Sequence, residues 1–320
     1  MKVVNYRIII LIKNDLIKFL NTLEYDGVQI IEITGGEPLT HPAFNEIVEH
    51  CLKTFQSATV ITNGSLIKKE HVDIFSKYKD KIALQIALNG VDSLYVDEFA
   101  GLKGAFEKIK EGTELINEKG IKLILTMIVT PYNIKNVSKT AKLAKKFGAV
   151  IFKPSVIVPI GRADQKQLDF TQESIILYKN EISKLKKIFK NFIFDAPEYL
   201  TKKESSCGAG ADTITITPEG HVLICPLSKT DHSIGNIYIE GFIPVLQKIK
   251  DINFSKLKTP NENSCGGCEF LFFCYGCIER GYRKYEGVNF CGVFLKFSSL
   301  FINKSQFFQI TPHFFTPSKI

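Results

Sequence analysis

The residues best suited to chemistry in this sequence are its cysteines, and their distribution is uneven. Cys51 stands alone in the first 200 residues, whereas the other seven cysteines fall between Cys207 and Cys291. Residues 1–13 are apolar but contain Arg7 and no small-residue cleavage site, so they predict a strand rather than an export signal. Without an export signal, so many cysteines indicate metal or redox chemistry in a reducing cytoplasm rather than a disulfide framework.

The spacing of the seven C-terminal cysteines favours iron–sulfur clusters. They are Cys207, Cys225, Cys265, Cys268, Cys274, Cys277 and Cys291. A cluster needs thiolates that converge on a small inorganic core, and a Cys-x2-Cys loop supplies two of them. The four cysteines of the run 265–277 cannot all easily reach one site, and in bacterial ferredoxin runs the last cysteine serves the other cluster. We therefore expect two clusters with interleaved ligands.

Structural zinc is the main alternative, because zinc is also held by pairs of Cys-x2-Cys loops. Zinc ribbons separate their two pairs by about 12 to 20 residues, whereas only five residues lie between Cys268 and Cys274. Seven cysteines also fit one tetrahedral zinc ion badly. The spacing thus favours clusters and leaves zinc as the open alternative. Cys51 lies within a predicted helix and is expected to be an ordinary buried thiol.

The cysteines need a scaffold, and the first 200 residues predict an α/β one. Short apolar runs alternate with amphipathic helical segments. The predicted strands are 28–33, 58–62, 82–88, 123–130 and 150–158. The predicted helices are 14–24, 43–55, 67–78, 105–117, 134–147 and 171–189. Strands this apolar predict a parallel sheet buried on both faces, in a partial TIM-like (β/α) barrel whose chemistry lies at the carboxyl ends of the strands.

The pattern changes after residue 200. The segments Thr213–Thr217 and His221–Ile224 predict a hairpin, with Gly220 placed for a positive φ. Short irregular segments rich in cysteine follow, and the last residues hold seven phenylalanines and no acidic residue. We expect residues 1–200 to form the partial barrel and residues 201–291 to form a small Cys-rich domain of hairpin and loops. Residues 292–320 form a tail to which we assign no function.

The composition argues against two classes of partner. No apolar run approaches the roughly 18 uninterrupted residues of a membrane span. A net charge of +8 is compatible with a nucleic-acid partner. However, the lysines occur in pairs at helical spacing with acidic neighbours, which is typical of solvated helix faces. We therefore expect a cytoplasmic protein that binds neither a membrane nor nucleic acid.

The cysteine pattern resembles the SPASM domain, a two-cluster extension of certain radical S-adenosylmethionine (radical SAM) enzymes. Gly220 and Cys225 reproduce its glycine-x4-cysteine motif between the first cysteine and the tight run. The resemblance implies that Cys207, Cys225 and Cys277 hold a first auxiliary cluster of the 4Fe-4S type, with one iron open to another ligand. It assigns to the second cluster Cys265, Cys268, Cys274 and Cys291. The family has three residues between the last two cysteines of the run, where this sequence has two.

The first 200 residues resemble the catalytic domain of the same family. The segment Ile33–Leu39 is similar to the motif that binds the amino group of S-adenosylmethionine, and Thr62-Asn-Gly64 follows the next strand. Glycines let the backbone approach a ligand closely, and the glutamate offers an acceptor at the carboxyl end of a strand. The cofactor-binding residues that the resemblance implies are Thr34, Gly35, Gly36, Glu37, Pro38, Thr62 and Asn63.

Some features of that family are missing. The sequence contains no Cys-x3-Cys-x2-Cys loop, which holds the radical-generating cluster in these enzymes, so either the true start lies upstream or the first strand has lost its loop. The family's Ser-Leu-Asp-Gly is Ala87-Leu-Asn-Gly90 here, and its expected arginine in the 97–101 segment is Ala100. Pro226 stands where relatives that oxidise sulfatase residues have an acid, which disfavours that activity.

The resemblance therefore implies a protein related to enzymes that modify peptides or proteins. Its cofactors would be two auxiliary iron–sulfur clusters and S-adenosylmethionine. Its partners would be a peptide or protein substrate and an electron donor such as ferredoxin or flavodoxin. A second hypothesis is a non-catalytic cluster-binding or electron-transfer derivative of this family. The sequence as it stands fits this hypothesis better, because the radical-generating cysteines are absent.

Overall fold

A single mixed sheet forms the centre of the molecule. The computed structural model describes residues 3–7, 13–158, 168, 170–194, 208–252, 259–268, 271–274, 276–277 and 279–280. The strands in this part of the chain are β1 (Val3–Arg7), β2 (Ile30–Thr34), β3 (Ser57–Thr62), β4 (Ile82–Ala87), β5 (Lys122–Val129), β6 (Ile151–Val156), β7 (Thr213–Ile216), β8 (His221–Leu223) and β9 (Gly235–Asn236). Their order in the sheet is β6-β5-β4-β3-β2-β1-β7-β8-β9.

Helices connect the parallel strands and continue into the C-terminal part. They are α1 (Lys13–Tyr25), α2 (Phe44–Thr54), α3 (Lys69–Ser76), α4 (Ser93–Ala100), α5 (Ala105–Glu118), α6 (Val137–Lys146), α7 (Gln172–Phe189), α8 (Ile237–Glu240), α9 (Phe242–Ile252), α10 (Glu262–Cys265) and α11 (Leu271–Cys274). Short 3-10 turns include Pro38–Thr40 and Ile134–Asn136. The expected alternation of strands and helices is therefore confirmed, whereas the sequence analysis missed α4 and the helices from α8 to α11.

The sheet has the topology of a partial barrel. Strands β1 to β7 all run parallel, with β7 paired beside β1, and β8 and β9 continue the sheet antiparallel. In the part of the chain that the structure describes, β6 and β9 stand at opposite ends of the order and do not pair, so no closed barrel forms there. Because parallel strands place their carboxyl ends at one edge, the loops after β2, β3, β4 and β5 gather at that edge.

The two faces of the sheet differ, and here the expectation of burial on both faces is wrong. Side chains along β3 and β4 alternate between buried and half-exposed positions, with Val60 and Leu84 fully buried on one face. The buried face packs against the helices in the main core. The opposite face lines the concave side of the partial barrel, where half-exposed positions carry polar residues such as Glu32 and Gln85. An incompletely closed sheet leaves that side open, so only one face is covered.

The C-terminal part is attached to the sheet at two places. Strands β7 and β8 form the expected hairpin, and Gly220 in its turn has φ +85°. Farther along the chain, α11 packs against α7, and an Arg280 guanidinium nitrogen donates to the Val156 carbonyl at 3.0 Å. The cysteine-rich segment therefore lies beside the carboxyl end of β6. Among the described residues, no helix has the length and apolarity that crossing a membrane requires.

Candidate functional site

Glu37 connects two neighbouring loops at the carboxyl edge of the sheet. Its carboxylate accepts a hydrogen bond from the Thr62 hydroxyl at 2.6 Å and another from the Asn63 N–H at 2.7 Å. The Leu39 N–H donates to the same carboxylate at 3.2 Å, which stabilises the 3-10 turn that begins at Pro38. The structure thus brings together the glutamate, threonine and asparagine that the sequence singled out.

The remaining motif residues leave this edge accessible. Thr34 and Gly35 are half-exposed, Gly36 is exposed, and a Cβ added at Gly36 would meet no atom within 4 Å. A carboxylate offers about four acceptor positions, and the contacts of Glu37 described above use three of them. The half-buried Glu37 therefore retains the capacity to accept from an ammonium group that enters over the glycines. This arrangement fits the amino group of S-adenosylmethionine.

Polar side chains on the concave face form a second part of the site. Glu32, Gln85, Thr126 and Lys153 occupy half-exposed positions on four different strands. The Lys153 Nζ lies 3.5 Å from the Gln85 Oε1 and 5.6 Å from the centroid of the Phe194 ring. The sequence analysis missed these residues, although their alternation with buried apolar residues was a usable signal.

Polar side chains near the two departures from the family's pattern hold the local loops in place. The side-chain oxygen of Asn89, which is buried, accepts from the Ile128 N–H at 2.9 Å and thereby connects the end of β4 to β5. Asp97 accepts from the backbone N–H groups of Phe106 at 3.0 Å and Gly104 at 2.5 Å, and these bonds lower the pKa of its carboxyl. Ala100 is exposed at the end of α4. Asn89 and Asp97 therefore hold the loops of this edge in place.

The two Cys-x2-Cys pairs are folded into turns. The Cys268 N–H donates to the Cys265 carbonyl at 3.1 Å, and the Cys277 N–H donates to the Cys274 carbonyl at 2.8 Å. A glycine precedes the second cysteine of each pair and adopts a positive φ, +80° at position 267 and +72° at position 276. Glycine adopts this conformation without steric cost, so each turn forms without strain. The shortened spacing of the second pair is thus accommodated in a tight turn.

Other cysteine-bearing segments meet at the hairpin. The Gly210 N–H, three residues after Cys207, donates to the carbonyl of Ile224, the residue before Cys225, at 3.2 Å. The Ser228 hydroxyl, three residues after Cys225, donates to the Glu279 carboxylate, two residues after Cys277. The structure therefore joins the chain neighbours of all three cysteines that the resemblance assigns to the first cluster.

The sulfur ligands themselves remain a prediction. Cys207 and Cys291 lie outside the described residues, and among the described ones no three Cys, His, Asp or Glu side chains are gathered closely enough for a metal ion. Cys225 accepts a hydrogen bond at its Sγ from the Leu227 N–H at 3.4 Å, an arrangement that suits a thiolate. By contrast, Cys51 is buried in the core of the barrel, and burial raises its pKa to about 12. Cys51 is therefore an unreactive structural thiol, as expected.

Comparison with models of protein families shows which family the chain belongs to. Residues 5–144 match the radical SAM superfamily, and residues 207–269 match an iron–sulfur cluster-binding domain known as SPASM. This chain is a radical SAM protein with a C-terminal SPASM domain. The radical SAM domain carries the loops around Glu37, and the SPASM domain contains the hairpin and the first cysteines of the tight run. Proteins of these two families bind S-adenosylmethionine and iron–sulfur clusters.

Curated relatives match most of this radical SAM/SPASM chain. The antilisterial bacteriocin subtilosin biosynthesis protein AlbA of Bacillus subtilis is 30% identical over 83% of this chain and 60% of its own length. The AdoMet-dependent heme synthase of Methanosarcina barkeri is 29% identical over 82% of this chain and 81% of its own length. The chain thus spans less than two thirds of the bacteriocin relative.

Solved structures share the fold of the radical SAM/SPASM chain. A structure of anSMEcpe with bound AdoMet and the Cp18Cys peptide has a TM-score of 0.69 at 16% identity, covering 94% of this chain and 95% of that one. Streptococcus suis SuiB bound to S-adenosylmethionine has a TM-score of 0.63 at 18% identity, covering 88% of this chain and 72% of that one. At these identities the likeness establishes the fold alone.

Proposed function

We propose that this chain is a two-cluster SPASM protein of the peptide-modifying radical SAM class. The observation that carries the proposal is the meeting of the segments next to Cys207, Cys225 and Cys277 through the Gly210–Ile224 and Ser228–Glu279 hydrogen bonds. These three cysteines would hold the first auxiliary cluster. The ligands of the second would be Cys265, Cys268, Cys274 and Cys291. Bound clusters of this kind transfer electrons or hold a substrate group on an open iron.

S-adenosylmethionine would bind at the carboxyl edge of the barrel. The Glu37 carboxylate would accept from the amino group, while Gly35 and Gly36 leave room for the backbone to approach it. Thr62 and Asn63 would line the same cofactor site and orient the carboxylate, because the Thr62 hydroxyl and the Asn63 backbone N–H both donate to Glu37. In this arrangement the protein supplies binding and orientation around chemistry that belongs to the cofactor.

The substrate would be a peptide or a protein. Named relatives support this class, among them the bacteriocin biosynthesis protein, the mycofactocin maturase MftC and the PqqA peptide cyclase. The concave face with Gln85, Thr126 and Lys153 offers polar groups to such a substrate beside the cofactor site. A ferredoxin or flavodoxin would supply electrons, and a reducing cytoplasm would keep the cysteines available for clusters.

A second candidate function is a cluster-binding electron carrier that does not generate a radical. The observation that favours it lies between β1 and α1, where the family's three-cysteine loop would stand. The segment 8–12 contains no cysteine, and the whole sequence contains no Cys-x3-Cys-x2-Cys triplet. This candidate also binds both auxiliary clusters. It differs from the first candidate because it would not cleave S-adenosylmethionine.

Anaerobic reconstitution of the full chain with iron and sulfide tests the proposal. We expect about eight iron atoms and about as many acid-labile sulfides per chain, as two 4Fe–4S clusters require. Stoichiometric zinc without acid-labile sulfide would contradict cluster binding. The reconstituted protein is then incubated with S-adenosylmethionine and dithionite. Release of 5′-deoxyadenosine supports the enzyme, and two clusters without release support the carrier.

A further inference from the structure

We propose that Glu279 is a positioning residue for the first auxiliary cluster and acts through the Ser228 hydroxyl. This inference rests on the proposed two-cluster function, because it concerns the ligand set of Cys207, Cys225 and Cys277. Glu279 and Ser228 are separated by 51 residues in sequence, and their hydrogen bond joins two cysteine-bearing segments directly. The pair would set the distance between Cys225 and Cys277 before a cluster binds.

Burial makes the contact between these two side chains specific. Glu279 is 2% exposed and Ser228 is 8% exposed. A carboxylate removed from water needs hydrogen-bond donors, because an unsatisfied buried charge is strongly unfavourable. The Ser228 hydroxyl supplies such a donor only when the two segments lie side by side. Burying Glu279 therefore favours the one arrangement in which the segments are in contact.

Backbone hydrogen bonds connect Ser228 to its neighbouring cysteine, and Glu279 lies close to its own cysteine along the chain. On one side, the Ser228 N–H donates to the Cys225 carbonyl at 3.0 Å, and the Leu227 N–H donates to the Cys225 Sγ at 3.4 Å. On the other side, Glu279 follows Cys277 by two residues, and the Cys277 turn is closed by its own N–H bond to the preceding cysteine. The loop that holds the Cys225 thiol thus also carries Ser228, and the segment that holds Cys277 also carries Glu279.

The same segment is also attached to the barrel. Arg280, the next residue after Glu279, donates to the carbonyl of Val156 at the end of β6. The side chain of Glu279 therefore contacts the loop after Cys225, and the adjacent side chain of Arg280 contacts the carboxyl end of β6. This double attachment would hold the first cluster at a defined place relative to the cofactor site.

Three substitutions in the full chain test the proposal by cluster content. After anaerobic reconstitution we expect Glu279→Ala and Ser228→Ala to lose about half of the iron and sulfide, because only one of two clusters should be affected. Glu279→Gln should retain most of the iron, since an amide oxygen can still accept from the Ser228 hydroxyl. Ser233→Ala is the matched control, because Ser233 donates to the Gly235 carbonyl at 2.7 Å in the same domain without joining cysteine segments.

Electron paramagnetic resonance of the reduced proteins identifies which cluster signal is lost, and thermal unfolding of the metal-free forms checks the fold. Loss of one signal in Glu279→Ala and Ser228→Ala, with rescue by Glu279→Gln, supports the proposal. Wild-type iron content in both variants overturns it, as does equal loss of both signals in Ser228→Ala. A wild-type protein that binds no cluster refutes the proposed function itself, so the two failures are distinguishable.

Discussion

Glu37 shows how one side chain serves both the fold and the candidate site. Its carboxylate connects the loop after β2 to the end of β3 through Thr62 and Asn63. The motif identified this glutamate from sequence, because glycines followed by an acid at a strand end indicate a ligand site. The sequence did not indicate that the same carboxylate binds the next loop, since that contact depends on the adjacent positions of β2 and β3.

Replacing Glu37 by alanine should destabilise the protein measurably. The substitution leaves the Asn63 N–H and the Thr62 hydroxyl without this partner, and hydrogen bonds to a charged group contribute about 2 kcal/mol. We expect the free energy of unfolding in urea to fall by about that amount. Glu46→Ala is the control, because Glu46 makes an exposed ion pair with Lys13 and such pairs contribute less than about 1 kcal/mol. Equal stability of the two variants would contradict this reading of Glu37.

The arrangement of the cysteines and their neighbouring residues could be predicted only in part from the sequence. The pairing of Cys265 with Cys268 in one turn follows from spacing, because two intervening residues permit a tight turn. The contact between Ser228 and Glu279 does not follow from any local pattern, since the residues are 51 positions apart. No motif marked Glu279, and only the tertiary structure brings its carboxylate to the loop after Cys225.

Most elements with strong periodicity were predicted, and among the missed ones α4 has a weak signal whereas α9 has a clear one. Helix α4 buries only Val96 and is defined mainly by its ends, where Asp92 accepts from the Tyr95 N–H at 2.9 Å and Gly101 adopts a positive φ. Helix α9 buries Phe242, Val245 and Ile249. That spacing of three and four residues is helical, so α9 could have been recognised.

The hairpin turn provides a prediction about one element. Gly220 has φ +85°, and a Cβ there would lie 2.5 Å from the Tyr238 ring and 2.8 Å from the Asn236 side-chain oxygen. Gly220→Ala should therefore add a steric clash to the strain of a positive φ, costing about 1 kcal/mol or more beyond the strain itself. Gly120→Ala is the matched control, because Gly120 has φ +66° with no atom within 4 Å of its added Cβ. Thermal unfolding should show the larger loss for Gly220→Ala, and equal losses would contradict the clash.

At the scale of the whole molecule, the two family regions share one sheet. The parallel pairing of β7 with β1 places the first strand of the C-terminal part beside the radical SAM strands. Ile214 and Ile216 on β7 are buried in the common core. The expected boundary near residue 200 therefore separates two sequence regions whose strands are hydrogen-bonded to each other.

This shared sheet predicts that residues 1–200 do not fold as an independent stable unit. Removing the rest of the chain would expose the edge of β1 and the apolar core that β7 covers, and exposed strand edges promote aggregation. We expect the 1–200 fragment to unfold at a markedly lower temperature than the full chain, or to aggregate, in circular dichroism melts. Cooperative unfolding of the fragment at the temperature of the full chain would show that β7 is dispensable.

The sequence alone determined what depends on neighbours along the chain. Cysteine spacing indicated clusters, hydrophobic periodicity indicated an α/β barrel, and the glycine-rich motif indicated a ligand at a strand end. The tertiary structure alone decided the open concave face, the place of β7 beside β1 and the contact of Ser228 with Glu279. Local patterns report the conformation and burial of a segment, whereas these contacts form between distant segments and depend on how the whole chain packs.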